Sequence, residues 1–531
     1  MIARAEDPIE SRRQAIQATL DAEKSAAERN RLGQFATPYP LAADIARYVK
    51  SVATFRPRAM RFADPALGTG GFYSAALAAF GSRQFGSAVG VELDPRFCAA
   101  ARQLWADVGL DVVQGDFTRF VAGTPPPVAP NLVLANPPYV RHHHLTTEDK
   151  RRLQALVHMT TGVRVNGLAG LYIYFLLLAT AWMEDGGYAG WLVPSEFMDV
   201  NYGDALRRFL TERVTLIRVH RFDPNDVQFA DALVSSAVLV LRKLAPAQAH
   251  AVEFSLGGAL GSPRAMELVP LRRLRESGKW TEYPNHAIND RRPSSTSGNS
   301  TLGDLFRIRR GVATGGNKFF VLERGDAERR RIPKRYLRPI LPSPRRLKTT
   351  VIQADDDGYP IVEPQLCLID CDLPEPVLKD RHPPLWEYLE TAAALGIRER
   401  YLVGKRSPWY RQEQRDPAPF LCTYMGRGSD ERRPFRFIWN HSRAIGTNLY
   451  LMLYPKGSLE QVLRSDPDRA ADVFAFLRRV TGHELRGHGR VYGGGLNKIE
   501  PGELARISAA PLVRRWPELR ANLKRQGELF G

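Results

Sequence analysis

The chain has 531 residues, which is too long for one ordinary domain and indicates two or three. Its 44% hydrophobic and 25% charged residues exclude a disordered chain. A formal net charge of +18 indicates a polyanionic partner. Residues 301–531 hold 41 Lys and Arg against 28 Asp and Glu, whereas residues 1–300 hold 34 against 29. The basic excess therefore lies in the C-terminal part.

We expect neither a secretory signal nor a membrane span. The N-terminus has no apolar stretch behind its positive charges, and the most apolar run, Leu168–Met183, is shorter than the roughly 20 residues that cross a bilayer. The cysteines lack the second Cys/His pair of a zinc site, so we expect reduced thiols, no metal and a cytoplasmic location. These cysteines are Cys98, Cys367, Cys371 and Cys422.

Helical and strand-like patterns alternate from the N-terminus to about residue 242. Residues 8–31 are polar and predict a helix that ends near Gly33. Strand-like runs follow at Met60–Asp64, Ala88–Leu93, Asp111–Gln114, Leu132–Ala135, Ala189–Val193, Leu216–His220 and Ser235–Leu241. The helical patterns between them are Gly71–Phe80, Arg96–Val108, Leu168–Met183 and Tyr202–Thr211. This alternation predicts an α/β fold with a parallel, doubly wound sheet.

Residues 287–300 (AINDRRPSSTSGNS) are polar and rich in Ser, and they predict a linker. The part after the linker is irregular and rich in Pro and Arg, and its fold does not follow from the pattern.

A glycine-rich turn, DPALGTGGF at 64–72, follows the first predicted strand. Such a turn lets the backbone approach a ligand at the carboxyl edge of a doubly wound sheet. The second strand ends in GVELDP at 90–95, where Glu92 can accept hydrogen bonds from ribose hydroxyls. Together these two segments predict a nucleoside site.

The third strand ends in GDF at 115–117, where Asp116 can accept from an adenine amino group and Phe117 can lie against the ring. No Lys or Arg for a phosphate lies in the glycine-rich turn, so the predicted ligand is a nucleoside without phosphates. S-adenosylmethionine fits this description, with Asp64 facing its amino or sulfonium region.

The fourth strand runs into NPPY at 136–139. Two prolines fix the backbone and remove two N–H donors, which leaves carbonyl acceptors beside an amide and an aromatic ring. The Asn136 side-chain oxygen and the Pro137 carbonyl can each accept one N–H of an amino group on a planar ring, while Tyr139 can stack on that ring. The alternative for the isolated tetrapeptide is a rigid turn.

These motifs, in this order, resemble those of the gamma-type amino-methyltransferases of DNA, which include the TaqI-like N(6)-adenine-specific enzymes of type II restriction-modification systems. GQFATP at 33–38 is similar to the N-terminal segment that helps enclose the methionine part of the cofactor, and WLVPS at 191–195 to a later strand. NPPY has the adenine-specific form. Leu67 departs from the more frequent Cys, and His142–His144 lie outside the motif, where a surface loop is the favoured interpretation.

The resemblance implies a set of site residues. Contacts to S-adenosylmethionine are expected from Thr37, Asp64, Ala66, Gly68, Gly70, Glu92, Leu93, Asp116 and Phe117. The catalytic residues are expected to be Asn136, Pro137, Pro138 and Tyr139. The aromatic side chain that stacks on a flipped adenine is placed at Phe229, with Phe222 as the fallback. Transfer would then be a direct in-line displacement that needs no metal and no covalent intermediate.

The C-terminal part resembles the target-recognition domain of the same family. TLGDLFRIRR at 301–310 and GVATGGNK at 311–318 are similar to its opening, and YGGGLNK at 492–498 to its terminal motif. Segments that mix Arg with aromatic residues lie between them, at 405–411 and 432–439. The candidates for DNA contacts are Arg309, Arg310, Lys318 and Arg436, and the alternative for each is solvated surface charge.

The predicted organisation is an N-terminal helix at 1–32, a Rossmann-like class I methyltransferase domain at 33–288, a linker at 289–300 and a mixed α+β target-recognition domain at 301–531. The predicted partner is double-stranded DNA, which the enzyme, expected to be a monomer, protects from a separately encoded restriction endonuclease.

Three alternative functions share parts of this pattern. The modification subunit of a multi-subunit restriction system carries similar segments, but usually after a long helical region. RNA and protein-glutamine methyltransferases also use Asn-Pro-Pro-Tyr, generally without a large basic C-terminal half. A DNA-binding protein with an inactive methyltransferase fold is the non-enzymatic alternative, which the intact acidic residues and Asn136 disfavour.

Overall fold

A computed structural model of the chain describes residues 8–56, 58–119, 129–222, 235–284, 300–427, 435–480, 490–492 and 496–521. The chain divides into two units, Met1–Arg292 and Pro293–Gly531. The predicted linker lies outside the described residues except for Ser300.

The first unit contains a nine-stranded sheet. Its strands are β1 (Met60–Asp64), β2 (Phe85–Glu92), β3 (Leu110–Gln114), β4 (Leu132–Ala135), β5 (Tyr188–Pro194), β6 (Thr215–Arg221), β7 (Ser236–Arg242), β8 (Ala251–Ala259) and β9 (Ser262–Pro270). Their order is β3-β2-β1-β4-β5-β7-β6-β8-β9, and β1 to β5 run parallel. The predicted Rossmann-like class I methyltransferase sheet is therefore confirmed.

Two strands depart from the predicted parallel arrangement. Strand β7 is antiparallel to both of its neighbours, β5 and β6. Strand β9 is antiparallel to β8, because only Leu260 and Gly261 connect these strands and so short a connection cannot cross over the sheet. Both β8 and β9 lie beyond the region in which strands were predicted.

Helices cover both faces of this sheet, as expected for a doubly wound fold. They are α1 (Pro8–Ala22), α2 (Ala26–Leu32), α3 (Tyr39–Val52), α4 (Gly71–Phe80), α5 (Pro95–Trp105), α6 (Thr147–Thr161), α7 (Leu171–Trp182), α8 (Asp204–Glu212) and α9 (Leu271–Glu276). Helices α3, α4 and α5 contribute to one buried core, whereas α6, α7 and α8 contribute to the other. The predicted N-terminal helix is two helices, because the chain turns at Lys24 and buries that side chain.

The most apolar segment of the chain forms α7, whose side chains are buried on nearly every side. A helix that is apolar all round belongs in the interior of a large domain. Within the described part of the chain, no helix combines the length and the apolar character needed to cross a membrane.

The second unit is mixed α+β. Its strands are β10 (Phe306–Arg310), β11 (Val321–Glu323), β12 (Leu337–Ile340), β13 (Val351–Ile352), β14 (Leu366–Ile369), β15 (Phe420–Thr423), β16 (Met425–Arg427), β17 (Phe437–Asn440), β18 (Tyr450–Pro455), β19 (Arg490–Tyr492) and β20 (Leu496–Lys498). They form a five-stranded sheet, β10-β18-β15-β17-β13, and two three-stranded sheets, β11-β14-β12 and β16-β20-β19.

Short helices surround these sheets. They are α10 (Leu302–Leu305), α11 (Asn317–Phe320), α12 (Arg324–Arg329), α13 (Glu375–Arg381), α14 (Pro383–Ala394), α15 (Gly457–Ser465), α16 (Arg469–Arg479), α17 (Pro501–Ala505), α18 (Ala510–Arg515) and α19 (Glu518–Ala521).

The turn between β1 and α4 depends on Gly70. Its φ of +89° lies in the left-handed region, and an added Cβ would overlap with Nε1 of the Trp105 indole. That indole N–H donates to the Thr69 carbonyl at 2.9 Å. The glycine therefore allows the turn to pack directly on a buried tryptophan.

We predict that Gly70→Ala lowers the free energy of unfolding by about 3 kcal/mol, because it combines backbone strain with overpacking. Gly109→Ala is the matched control, since Gly109 is also left-handed but has open space around its Cβ position. The control should cost about 1 kcal/mol. Urea unfolding followed by circular dichroism measures both values, and equal losses would contradict the packing role of Gly70.

Candidate functional site

A cavity of about 780 Å³ lies at the carboxyl ends of β1 to β4. Its size is typical of a small-molecule site. Many of the residues predicted from the sequence line it: Thr37, Asp64, Ala66, Gly68, Glu92, Leu93, Asp116, Phe117, Asn136 and Pro138. The structure thus brings four strand ends and the 33–38 segment to one cavity.

Two buried carboxylates border the cavity. Asp64 is 1% exposed and accepts from the Ala66 backbone N–H at 3.0 Å. Glu92 is 8% exposed and accepts from the N–H groups of Gly68 and Asp94, each at 2.8 Å. Among the described residues, neither carboxylate forms an ion pair. Unpaired buried negative charge is costly, so the cavity favours a positively charged ligand.

Burial, with a smaller contribution from Glu92, raises the pKa of Asp64 to about 8. Burial also raises the pKa of Glu92. A cation bound beside these groups would stabilise their charged forms and lower both pKa values.

Asp116 and Phe117 form another wall of the cavity. The Asp116 carboxylate accepts from the backbone N–H of Thr118 at 2.9 Å and from its hydroxyl at 2.7 Å. Phe117 is buried, and its ring lies 5.2 Å from the ring of Phe175 and 5.7 Å from that of Trp182. Asp116 thus holds its own loop in place, while Phe117 supplies apolar surface to the cavity.

The Asn136 amide is oriented by the N-terminal segment. Its Nδ2 donates to the Phe35 carbonyl at 2.8 Å and to the Thr37 hydroxyl at 3.1 Å. Its Oδ1 is buried and accepts no hydrogen bond from the described part of the chain. A buried acceptor without a donor is uncommon in a native structure, and this one is available to accept a hydrogen bond from a ligand in the cavity.

Tyr139 contacts the same segment but does not line the cavity. Its backbone N–H donates to the Gly33 carbonyl at 3.0 Å, and a Cβ at Gly33 would overlap with that nitrogen. Its side chain is 7% exposed, with its ring 5.7 Å from that of Phe35. Burial raises the pKa of Tyr139.

The remaining predicted residues of this unit lie elsewhere. Pro137 and Gly70 are not among the residues lining the cavity, and Gly70 packs on Trp105 instead. Phe222 is half-buried, with its ring 4.9 Å from that of His220. Phe229 lies outside the described residues.

The cavity also has walls that the sequence analysis did not assign. Arg13, Gln17 and Asp21 of α1 and Arg31 of α2 line it, as do His143, His144 and Arg152. The polar pattern of residues 8–31 gave no signal for this contact. The three consecutive histidines form one helical turn beside the cavity, and no group of His, Cys, Asp and Glu suited to a metal ion occurs among the described residues.

The four DNA-contact candidates of the second unit differ in their surroundings. Arg309 and Lys318 are exposed. The Arg310 guanidinium lies 3.9 Å from the centre of the Tyr424 ring, and its Nε donates to the Asn448 carbonyl at 3.0 Å. The Arg436 guanidinium donates to the carbonyls of Leu347, at 2.7 Å, and Pro344.

The two motifs that resemble the ends of a target-recognition domain meet at one side chain. Both Arg310 of the opening motif and Lys498 of the terminal motif contact the ring of Tyr424, and the Lys498 Nζ is 5.2 Å from the ring centre. The Tyr424 hydroxyl donates to Glu500 at 2.6 Å. These contacts tie the beginning and the end of the second unit together.

Comparisons with known proteins find similarity to restriction-modification methyltransferases. Residues 131–228 match the Eco57I restriction-modification methylase family, and residues 278–527 match the C-terminal domain of the type II methyltransferase M.Eco57I. The type II methyltransferase M.XamI of Xanthomonas campestris pv. amaranthicola is 29% identical over 490 residues, which cover 90% of this chain and 85% of that protein. The type II methyltransferase M.AccI of Acinetobacter calcoaceticus is 22% identical over 505 residues, with the same shares covered.

Two solved structures are also similar to the chain. The type IIL restriction-modification enzyme MmeI, solved in complex with DNA, has a TM-score of 0.49 and 13% identity, covering 83% of this chain and 65% of that one. The type IIG restriction endonuclease BpuSI has a TM-score of 0.45 and 16% identity, covering 94% of this chain and 61% of that one. The chain spans less than two thirds of the length of either enzyme.

The raised pKa of Asp64 predicts a pH dependence of stability. Between the usual pKa of an aspartate, about 4, and the folded value of about 8, the folded protein binds this proton more tightly than the unfolded chain does. The free energy of unfolding of the ligand-free protein should therefore fall as the pH rises through this window.

Asp64→Asn should remove this pH dependence. The free energy of unfolding of the variant minus that of the wild type should be larger at pH 8.5 than at pH 5, by at least about 1 kcal/mol. Urea unfolding at the two pH values measures the difference. Asp111→Asn, at an exposed carboxylate of β3, is the control. A difference for Asp64→Asn that does not change with pH would contradict the buried, unpaired carboxylate.

Proposed function

We propose that the chain is a type II restriction-modification methyltransferase that transfers a methyl group from S-adenosylmethionine to the exocyclic N6 of an adenine within a specific sequence of double-stranded DNA. The family matches and the similarity to two type II methyltransferases support this proposal. The modification would protect that sequence from a restriction endonuclease encoded separately. Residues 33–288 would carry the catalytic site and residues 301–531 the target-recognition surface, joined by the linker at 289–300.

The observation that carries the proposal is one cavity that contains both the buried carboxylates of Asp64 and Glu92 and the Oδ1 atom of Asn136. Within the part of the chain that the structure describes, these carboxylates form no ion pair and Oδ1 accepts no hydrogen bond. S-adenosylmethionine supplies an electrophilic methyl group and a net positive charge, because its sulfonium and ammonium groups outnumber its one carboxylate. Asp64 would neutralise the charged region of this cofactor, and Glu92 would accept from its ribose hydroxyls while Gly68 and Asp94 hold the carboxylate in place.

Asn136 would select and orient the amino group of the target. Because both of the acceptors for its Nδ2 come from the 33–38 segment, Oδ1 is left to accept one N–H of the adenine amino group. The Pro137 carbonyl would accept the other N–H. These two acceptors withdraw the nitrogen lone pair from the ring and stabilise the positive charge that develops on it.

The target base must leave the duplex to reach this site, which costs a few kcal/mol. Stacking on Tyr139 and Phe229 would return about 1–3 kcal/mol for each ring face. Because the ring of Tyr139 is buried beside that of Phe35, stacking of a base on it would require these two side chains to move apart. After transfer, the amino proton would leave to water.

We predict that Asn136→Ala lowers the rate of methyl transfer at least about 1,000-fold, because the acceptor that aligns the amino group is removed. Transfer of a radiolabelled methyl group to DNA measures the rate, and calorimetry should show S-adenosylmethionine binding within a few-fold of the wild type. Mass spectrometry of digested product DNA should identify N6-methyladenine; N4-methylcytosine would reject the adenine assignment.

Asn131→Ala provides a control for general loss of structure, since Asn131 bonds to the backbone of Ala59 and Arg61 away from the cavity. This variant should lose stability but keep its rate per folded molecule. Retained turnover in Asn136→Ala without cofactor binding would reverse the assigned roles.

The surroundings of the basic side chains in the second unit predict two classes of variant. Arg309→Gln and Lys318→Gln should leave the free energy of unfolding unchanged and weaken DNA binding. Each should also reduce the slope of log affinity against log salt concentration, by about 0.9 for each phosphate that the variant no longer binds. Arg436→Gln should lower stability instead, because the Pro344 and Leu347 carbonyls would lose their donor. Fluorescence anisotropy over a salt series separates the classes, and a normal salt slope in both exposed variants would remove them from the interface.

A further inference from the structure

Three charged side chains near the N-terminus are buried. Glu10, Arg13 and Lys24 are 5%, 4% and 6% exposed, although α1 and α2 are otherwise polar and solvated. Charged side chains are almost never buried this completely unless they are paired, because removing them from water is costly. Their hydrogen-bond partners therefore show which segments this part of the chain contacts.

Arg13 connects α1 to the glycine-rich turn. Its Nε and Nη2 donate to the Glu10 carboxylate at 2.8 and 2.6 Å, and its Nη1 donates to the Thr69 hydroxyl at 3.0 Å. The Thr69 hydroxyl in turn donates to Gln17 at 2.8 Å. Thr69 is itself buried in the turn that borders the cavity, so α1 bonds directly to the cofactor-binding backbone.

Lys24 connects the start of α2 to two further walls of the cavity. Its Nζ donates to the Gln34 side chain at 2.6 Å and to the Asp94 carboxylate at 2.7 Å. Asp94 lies in the short connection between β2 and α5, here called the Glu92 loop, and donates its backbone N–H to the Glu92 carboxylate. Lys24 thus joins the 33–38 segment to the loop that would bind ribose.

Apolar contacts of α1 are few. Its fully buried side chains are the charged Glu10 and Arg13, while Ile9 and Ile16 are only partly buried against the core. An element held by polar contacts and little apolar area opens at a low cost in free energy. Since Arg13 and Gln17 line the cavity as well, opening of α1 would expose the cavity.

We propose that α1 and α2 form a latch over the cofactor cavity, in which Arg13 and Lys24 are positioning residues for the glycine-rich turn and the Glu92 loop. The latch rests on the proposed cofactor, S-adenosylmethionine. Closure of the latch and cofactor binding stabilise each other, because coupling between two equilibria is reciprocal. The latch acts mainly on release of the cofactor, since it must open before the ligand leaves.

The test compares cofactor release in matched variants of the full chain. Glu10→Gln/Arg13→Gln removes the charged pair together and so avoids leaving Glu10 buried without its partner. Dissociation of radiolabelled S-adenosylmethionine in a chase with unlabelled cofactor should be about tenfold faster than in the wild type. Arg12→Gln, at an exposed position of the same helix, is the control and should release at the wild-type rate.

Thr69 tests the other end of the contact. Thr69→Val keeps the shape but removes the hydroxyl and should also accelerate release, whereas Thr69→Ser should restore a rate near the wild type. Combining Thr69→Val with Glu10→Gln/Arg13→Gln should accelerate release little more than either variant alone, because both variants remove the same hydrogen bond between Arg13 and Thr69. Lys24→Gln tests the second anchor independently and keeps the proposal testable if the Arg13 variant does not fold.

Hydrogen exchange supplies a measurement that a purely structural role would not change. S-adenosylmethionine should slow exchange in residues 9–22 of the wild type, and this protection should disappear in Thr69→Val. Release at the wild-type rate in both Thr69→Val and Lys24→Gln, or fully additive effects in the combined variant, would overturn the latch. Failure of the wild type to bind S-adenosylmethionine would instead reject the proposed function.

Discussion

The packing of residues 33–37 against residues 136–139 is the constraint on which the candidate site depends. The Gly33 carbonyl accepts from the Tyr139 backbone N–H, and the Phe35 carbonyl and Thr37 hydroxyl accept both bonds from Asn136 Nδ2. This pairing leaves Asn136 with only its oxygen for a ligand. A residue larger than glycine at 33 would separate the two backbones. The orientation of one amide therefore depends on a segment distant in sequence.

The same cavity departs from the usual rules for a stable interior. Asp64 and Glu92 are buried without cations, and Asn136 Oδ1 is buried without a donor among the described residues. Burial of each of these groups costs the fold stability, and the proposed ligands, which bring positive charge and amino hydrogens, would offset that cost. Natural proteins tolerate such departures mainly at functional sites. Because these groups would gain partners on binding, the cost of burying them in the free fold would be offset by ligand binding.

The sequence predicted those parts that depend on local pattern. Glycine, proline and acidic residues at strand ends located the loops around Asp64, Glu92 and Asn136, because these residue types set backbone conformation within a few positions. The wall formed by α1 was not predicted, since the partners of Arg13 are distant in sequence and a polar helix resembles a solvated one. Gly70 was assigned to the cofactor on its motif, whereas its Cα faces Trp105. The mixed α+β class of the second unit followed only from the resemblance, and its individual strands were not predicted because they are short and their pairing is non-local.

The chemistry of the first unit does not by itself specify a DNA sequence. Asn136 and the proline carbonyl would recognise an amino group on any adenine, so selection of one site requires donors and acceptors that read neighbouring base pairs. The second unit holds most of the excess positive charge, but Arg310 and Arg436 are engaged within its own fold. Contacts such as those of Tyr424 with Arg310 and Lys498 stabilise the fold of the second unit. Exposed side chains such as Arg309 can therefore be substituted without loss of that fold. A division of this kind allows specificity to change without altering the catalytic cavity.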